Sequence, residues 1–267
     1  MPVIQVSQLN IYPIKSTAGI LLNQAQVKPL GLTYDRRWML VNNEGHFITG
    51  RQYPQLTQIR TQIEHEQLIV NAPNMPQLHV PLNLQTTATQ PVKVWRDHCT
   101  ATSMPQEINQ WFSGYLGIDC QLVHMSEDYI RATDRQYSQD GDRVSFADGF
   151  PLLLISEASL DDLNQKLQNP VTMVNFRPNI VVSGCDAFTE DHWTHFRIGN
   201  IAFEGVKGCS RCIFTTVNPI TGTFDPTREP LKTLSTFRRR PEGGVFFGQN
   251  LIPRSQGIIQ VGDKIEL

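Results

Sequence analysis

No hydrophobic period in this chain survives for long. Apolar and β-branched runs such as "RRWMLVN" (36–42), "RPNIVVSG" (177–184), "IAFEGV" (201–206) and "CIFTTV" (212–217) are cut off by Gly, Pro, Asn or Asp before a helical stripe can build. The 267 residues include 18 glycines and 17 prolines to supply the interruptions. Runs this short suit strands joined by tight turns, so the expectation is a β-rich α+β fold with barrel-like sheets. Three stretches depart from the pattern. "PQEINQWFSGYLG" (105–117) reads as a helix with Pro105 in its first turn and Gly117 at its end. "EASLDDLNQKL" (157–167) follows Ser156, a residue type suited to capping its free N–H groups, and "EPLKTLSTFRRR" (229–240) carries Pro230 near its start. There is no internal repeat and no heptad pattern.

Along the chain, residues 3–11 read as a strand and "YPIKSTAGI" (12–20) as a turn presenting a lysine and a serine. Residues 36–42 and 47–51 form an expected hairpin around Gly45, with strand-like pieces at 58–63, 67–71 and 92–95. The polar stretch 83–91 is expected to be a loop, "CQLVHM" a strand, "NPITG" (218–222) a hairpin turn, and 257–267 a closing strand pair. Residues 126–145 are dense in charge and lack apolar periodicity, the mark of a loop that is either functional or disordered.

Several classes of function are excluded. A net charge of −2 gives no global field for nucleic acid or an anionic membrane, although local clusters can still hold a small anion. The longest apolar runs, such as "LLLI" at 152–155, are too short to span a bilayer, and the N-terminus lacks the basic start and apolar stretch of an export signal. The five cysteines, at 99, 120, 185, 209 and 212, are odd in number and scattered, which favours a reducing, cytoplasmic setting over a disulfide framework. No Gly-rich phosphate loop, dinucleotide fingerprint or nucleophile elbow is present. His192 and His195, three apart, fit a solvated turn.

The densest chemistry lies in "KGCSRCIFTTVNPITG" (207–222). Cys209 and Cys212 have no second pair with which to complete a zinc site. A thioredoxin-type pair would open a helix, whereas "IFTTV" is strand-prone. If 212–217 is a strand, Cys212 shares a face with Phe214 and Thr216. Lys207 and Arg211 would favour a thiolate, which suits a soft or high-valent metal. On their own the residues leave open a thiolate metal ligand, a redox pair and two small buried fillers.

The same stretch, followed by "REPLKTLSTFRR" and "FGQNL", resembles the MOSC family, named for the C-terminal domain of molybdenum cofactor sulfurase. Upstream, "YPIKS", "DRRWMLVNNEG", "TGRQYPQL", "FADGFPLLLISEASLDDLN" and "NFRPNIVVSG" resemble its N-terminal β-barrel companion and the first half of MOSC itself. The likeness covers nearly the whole chain and is strongest to the YcbX-like and amidoxime-reducing branches. It implies a MOSC β-barrel domain at 122–267 packed with an N-terminal barrel-like domain at 1–121.

The resemblance also implies a molybdopterin-type molybdenum cofactor between the two units, and neither pyridoxal phosphate nor an iron–sulfur cluster. It assigns the metal ligand to Cys212, with Cys209 a neighbour. Lys15 and Ser16, Arg36, Arg177 and Asn179, and Ser210 and Arg211 are the implied cofactor-binding residues. Cations suit the cofactor's phosphate, and an asparagine amide suits a pterin edge. The implied reaction is reduction of small N-hydroxylated compounds. No C-x₄-C-x₂-C run is present, so electrons are expected from a separate flavin, iron–sulfur or haem protein. The alternative is a cofactor or sulfur carrier that uses a cysteine persulfide and performs no reduction.

Overall fold

The computed structural model describes residues 3–83, 88–126, 128–241 and 243–267. Strands dominate it, arranged in curled half-barrel sheets with three α-helices against them. The largest sheet has eight strands in the order Ile20–Leu22, Gln5–Ile11, Ile180–Ser183, Leu152–Ser156, Phe246–Pro253, Ile201–Ser210, His195–Ile198 and Ile265–Glu266. All its pairings are antiparallel except Leu152–Ser156 with Ile180–Ser183. A parallel pair needs a crossover, and the helix Glu157–Asn164 lies within it. The first strands of the chain thus hydrogen-bond into a sheet built otherwise from residues beyond 150. Gln24–Lys28 likewise pairs with Gly257–Gln260. A second, four-stranded sheet orders Trp38–Val41, Gln121–His124, Asp97–Ser103 and Thr89–Val94.

Burial explains the least interrupted runs. In "LLLIS", Leu152 and Leu154 enter one core with Val6, Leu9, Ile180 and Phe203, while Leu153 and Ile155 enter another with Leu163, Val181, Leu234 and Phe247. A strand covered on both faces has no polar face to alternate with. "WMLV" repeats the arrangement, with Trp38 and Leu40 facing the core under the helix Gln106–Leu116, and Met39 and Val41 facing Val92, Val123 and Phe146.

The helix ends follow local chemistry. Ser156 Oγ accepts the Ser159 N–H at 3.1 Å, and Gly117 closes Gln106–Leu116 in a left-handed conformation. The third helix is shorter than its sequence pattern, Leu231–Phe237, and Arg238 beyond it forms an ion pair with Asp191. His192 and His195 are exposed. Residues 218–222 form the expected turn between Val217–Asn218 and Thr223–Phe224. Of the expected loop 83–91, residues 84–87 lie outside the described residues, and Thr89–Val94 is already strand.

Two expectations are corrected. Gly257–Gln260 and Ile265–Glu266 do not pair with each other; the first joins Gln24–Lys28 and the second His195–Ile198. The apparent strand at 212–217 is a 3-10 turn, Ile213–Thr216. Thr215 Oγ1 donates to the Cys212 carbonyl at 2.9 Å and Thr216 Oγ1 to the Ile213 carbonyl at 2.8 Å. These side-chain bonds give the backbone a local alternative to a sheet ladder. The strand before it, Ile201–Ser210, instead continues through Cys209, with register shifts at Gly205/Lys207 and Gly208/Ser210. Among the described residues no helix is long and apolar enough to cross a membrane.

Candidate active site

Six chain segments meet around one cleft. The turn after Gln5–Ile11 brings Lys15 and Ser16, the approach to Trp38–Val41 brings Arg36, and a turn at 49–52 brings Arg51. The segment after the charged loop supplies Asp148, the lead-in to Ile180–Ser183 supplies Arg177 and Asn179, and the end of Ile201–Ser210 with the residues after it supplies Cys209, Ser210, Arg211 and Cys212. All the residues implied by the resemblance therefore line the same space, whose atom-free volume, open mouth included, is about 910 Å³. That is the scale of a small-molecule site.

Three of these residues hold a backbone conformation that side chains disfavour. Ser16, Arg36 and Arg177 have φ of 72°, 48° and 59°. A non-glycine residue there costs about 1–3 kcal/mol, and such residues persist where surrounding contacts over-determine them. Arg36 donates its N–H to the Tyr12 carbonyl at 2.9 Å and accepts from the Phe146 N–H at 3.0 Å; Arg177 donates its N–H to the Met173 carbonyl at 3.0 Å.

Positive charge accumulates in the cleft. Among the described residues Lys15, Arg36, Arg51, Arg177 and Arg211 line it, against one carboxylate, Asp148. Buried Asp35 offsets one of them, accepting from Arg36 Nη1 at 2.6 Å. Arg36 also donates to Asn179 Oδ1 at 3.0 Å and to the Arg177 carbonyl at 3.1 Å. The Arg36 and Arg177 guanidiniums lie 4.3 and 4.1 Å from the centroid of the Tyr12 ring. Burial, reinforced by neighbouring Arg36, pushes Arg177 down to about 10. Lys15 is bonded to the Phe146 carbonyl at 2.7 Å and to Asp148 Oδ1 at 2.5 Å. Burial lowers its pKa against the pull of Asp148. Partial desolvation at the cleft acts to raise Asp148, whose side chain is still 67% exposed, but the Lys15 charge and hydrogen bond, with help from Trp95 and Arg51, hold it below the usual carboxylate range.

The two thiols have different partners. Arg211 Nη1 lies 3.0 Å from Cys209 Sγ, while Arg51 Nη1 lies 3.7 Å from Cys212 Sγ. Lys207, expected to act on the thiols, instead sits over the Tyr137 ring at 4.4 Å. Asn179 is engaged by the protein itself: Oδ1 accepts from Arg36 and from the Leu153 N–H at 3.2 Å, and Nδ2 donates to the Asn10 carbonyl at 3.1 Å.

The residues fit a bound, anionic, sulfur-ligated group. The cations outnumber the carboxylates, and Arg211 Nε is buried with no hydrogen-bond partner among the described residues. Buried donors and charges call for such a partner. Among the described residues no three His, Cys, Asp or Glu side chains gather as a metal cluster, so a metal at Cys212 would take its remaining ligands from a cofactor.

Arg51 and Asp148 were not singled out from the sequence, although both lie in stretches that carried the resemblance. Arg131 was passed over inside the charged loop. It is 4% exposed and binds the Ser145, Ala147 and Asp148 carbonyls at 2.8, 2.6 and 2.9 Å.

Residues 3–119 match the MOSC N-terminal beta barrel domain and residues 141–266 match the MOSC domain. The chain belongs to this two-domain MOSC family, together with the mitochondrial amidoxime-reducing components. It is 37% identical to mitochondrial amidoxime-reducing component 1 of Mus musculus, covering 98% of this chain and 82% of that protein. The Homo sapiens protein of the same name is 36% identical over 98% of this chain and 82% of its own length. That of Danio rerio is 34% identical, with 97% and 83% covered.

Proposed function

We propose that this protein reduces N-hydroxylated compounds such as amidoximes and hydroxylamines, using a molybdopterin-type molybdenum cofactor held in the cleft and electrons from a separate protein. The observation that carries the reading is the cleft itself: five cationic side chains converge beside the Cys212 thiol. The relatives' printed name, amidoxime-reducing component, supports the substrate class.

Cys212 supplies the thiolate ligand. Arg36, Arg177 and Lys15 neutralise the cofactor's phosphate, and Arg211, which lines the same cleft, adds a fourth positive charge. When bound, the cofactor provides two-electron oxygen-transfer chemistry; the protein provides position and charge. Arg51 stabilises negative charge on the Cys212 sulfur, from 3.7 Å. The ionised Asp148 carboxylate faces the cleft as a hydrogen-bond acceptor for a substrate N–H or O–H. Overall, R–NHOH takes two electrons and two protons and leaves as R–NH₂ and water. The electron donor is a flavin, iron–sulfur or haem protein.

The carrier reading has one observation in its favour, the 3.0 Å contact of Arg211 with Cys209, which would also stabilise a persulfide there. One experiment separates the two. Protein carrying molybdenum should reduce benzamidoxime with dithionite and a viologen, should fail with NADH alone, and should regain NADH-dependent turnover on addition of a reductase and a redox carrier protein. Full molybdenum occupancy without turnover by any reductant, together with a persulfide on Cys209, would establish the carrier.

A further inference from the structure

A side chamber opens beside the cleft, and the reading above gives it no task. His46, Phe47, Gln52, Lys93 and Trp95 line it, and Thr49 and Arg51 line both spaces. Its atom-free volume, with its mouth, is about 700 Å³. The Phe47 and Trp95 rings form one wall, their centroids 5.1 Å apart and their planes at 59°.

Trp95 is an unusual residue for its place. With Arg96 it makes the two-residue connection between Thr89–Val94 and Asp97–Ser103. Hairpin loops of this length require positive φ and are normally filled by Asn, Asp or Gly. Trp95 has φ of 57° and is 42% exposed, so it brings both backbone strain and uncovered apolar surface. Its contacts are with groups of the cleft. The indole N–H donates to Asp148 Oδ1 at 3.2 Å, and the Arg51 guanidinium lies 4.2 Å from the ring centroid. Arg51 in turn reaches Cys212 Sγ. The chamber wall is thus joined by direct contacts to the residues that would face the reacting nitrogen.

We infer that this chamber is the subsite for the organic part of the substrate. It takes a flat aromatic or heteroaromatic group, stacked against Trp95 and Phe47, while the N-hydroxyl end passes Arg51 toward Cys212. Among the described residues Lys93 and Arg51 line the chamber and no carboxylate does, although Asp148 accepts from Trp95 and Glu44 lies 3.4 Å from His46; the balance favours neutral or anionic rings over cationic ones. The inference rests on the reductase reading but is tested separately from it.

The test compares benzamidoxime with acetamidoxime, which share the reacting group and differ as phenyl against methyl. In molybdenum-loaded protein, Trp95→Ala should lower the ratio of their kcat/KM values roughly three- to tenfold, the worth of an aromatic contact, mainly through the KM for benzamidoxime. Trp95→Phe should restore most of that ratio. A purely structural role would depress both substrates together; an unchanged ratio overturns the subsite. A second readout needs no turnover. The other three tryptophans, Trp38, Trp111 and Trp193, are 7% exposed or less, so a ligand in the chamber should quench Trp95 in particular. Saturable quenching by benzamidoxime, absent with acetamidoxime and lost in Trp95→Phe, supports the subsite; no quenching overturns it. If the wild type reduces neither compound, the reductase reading fails, and the quenching result still decides whether the chamber binds a ring.

Discussion

Replacing Arg131 by methionine should unfasten the loop that carries half of the Lys15–Asp148 pair. The guanidinium is almost completely buried and makes four hydrogen bonds: to Asp97 Oδ2 at 2.8 Å and to the carbonyls of Ser145, Ala147 and Asp148 at 2.8, 2.6 and 2.9 Å. The same short segment supplies the Phe146 carbonyl and the Asp148 carboxylate that hold Lys15. Methionine fills much of the volume but donates nothing. Each buried carbonyl left unpaired costs about 1–3 kcal/mol, and partial access of water reduces the sum. The Asp97 carboxylate is 45% exposed, so its ion pair adds no more than about 1 kcal/mol. A net loss of about 3–5 kcal/mol follows for Arg131→Met. Arg131→Lys, which keeps the charge and part of the bonding, should lose about half as much. Urea unfolding monitored by fluorescence and circular dichroism measures the loss, and metal analysis after gel filtration measures retained molybdenum. Both should fall in the order wild type, Lys, Met. A methionine variant within 1 kcal/mol of wild type would refute the clasp.

Acid should destabilise the fold through His124, whose ring lies tilted against Trp38 with centroids 4.8 Å apart and which is pushed down to about 4 by burial and then by Arg37. Its folded pKa lies below its unfolded value near 6.5, so the unfolded chain binds the extra proton; stability is complete above pH 6.5 and falls toward pH 4 by up to about 3 kcal/mol. His124→Phe should flatten that part of a pH series of urea midpoints. Among the cofactor cations, Arg177→Ala removes a charge that Arg36 opposes but leaves the carbonyl of buried Thr17 without its donor, so stability should fall by about 1–3 kcal/mol while molybdenum retention falls. Arg36→Ala should lose more of both, because it strands the carboxylate of buried Asp35 without its partner. Gly50→Ala would place a methyl group 2.2 Å from Phe214 Cε2, so the ring or the Arg51 turn must shift; a loss of about 1–3 kcal/mol and a lower molybdenum content are expected, measured by the same two assays.

What the sequence disclosed was whatever local chemistry decides. Short interrupted runs announced a strand-rich fold, and Ser156 and Gly117 marked helix ends. Local propensity misled at 212–217, where two threonine hydroxyls turn a β-branched run into a 3-10 turn. It also misled at 257–267, where both strands find partners elsewhere in the fold. The cations of the cleft could be named because they sit in stretches resembling a known family. Arg51 lies in such a stretch too, but its contact with Cys212 joins positions 161 residues apart and no local signal encodes that role. Arg131 looked like one charge among many in a polar loop, and only burial against three carbonyls distinguishes it. Lys207 shows the converse: close to the thiols in sequence, it is turned onto Tyr137.

The most direct test of the central claim is molybdenum and released pterin, quantified per chain in the wild type, Cys209→Ser and Cys212→Ser, purified under identical conditions from a host that makes the cofactor. The account predicts near-stoichiometric metal and pterin in the wild type and in Cys209→Ser. In Cys212→Ser it predicts that benzamidoxime reduction is lost and that the metal's X-ray absorption loses one sulfur neighbour. Cys212→Ser protein with an unaltered sulfur shell and undiminished turnover, or wild-type protein with neither molybdenum nor pterin, would contradict it.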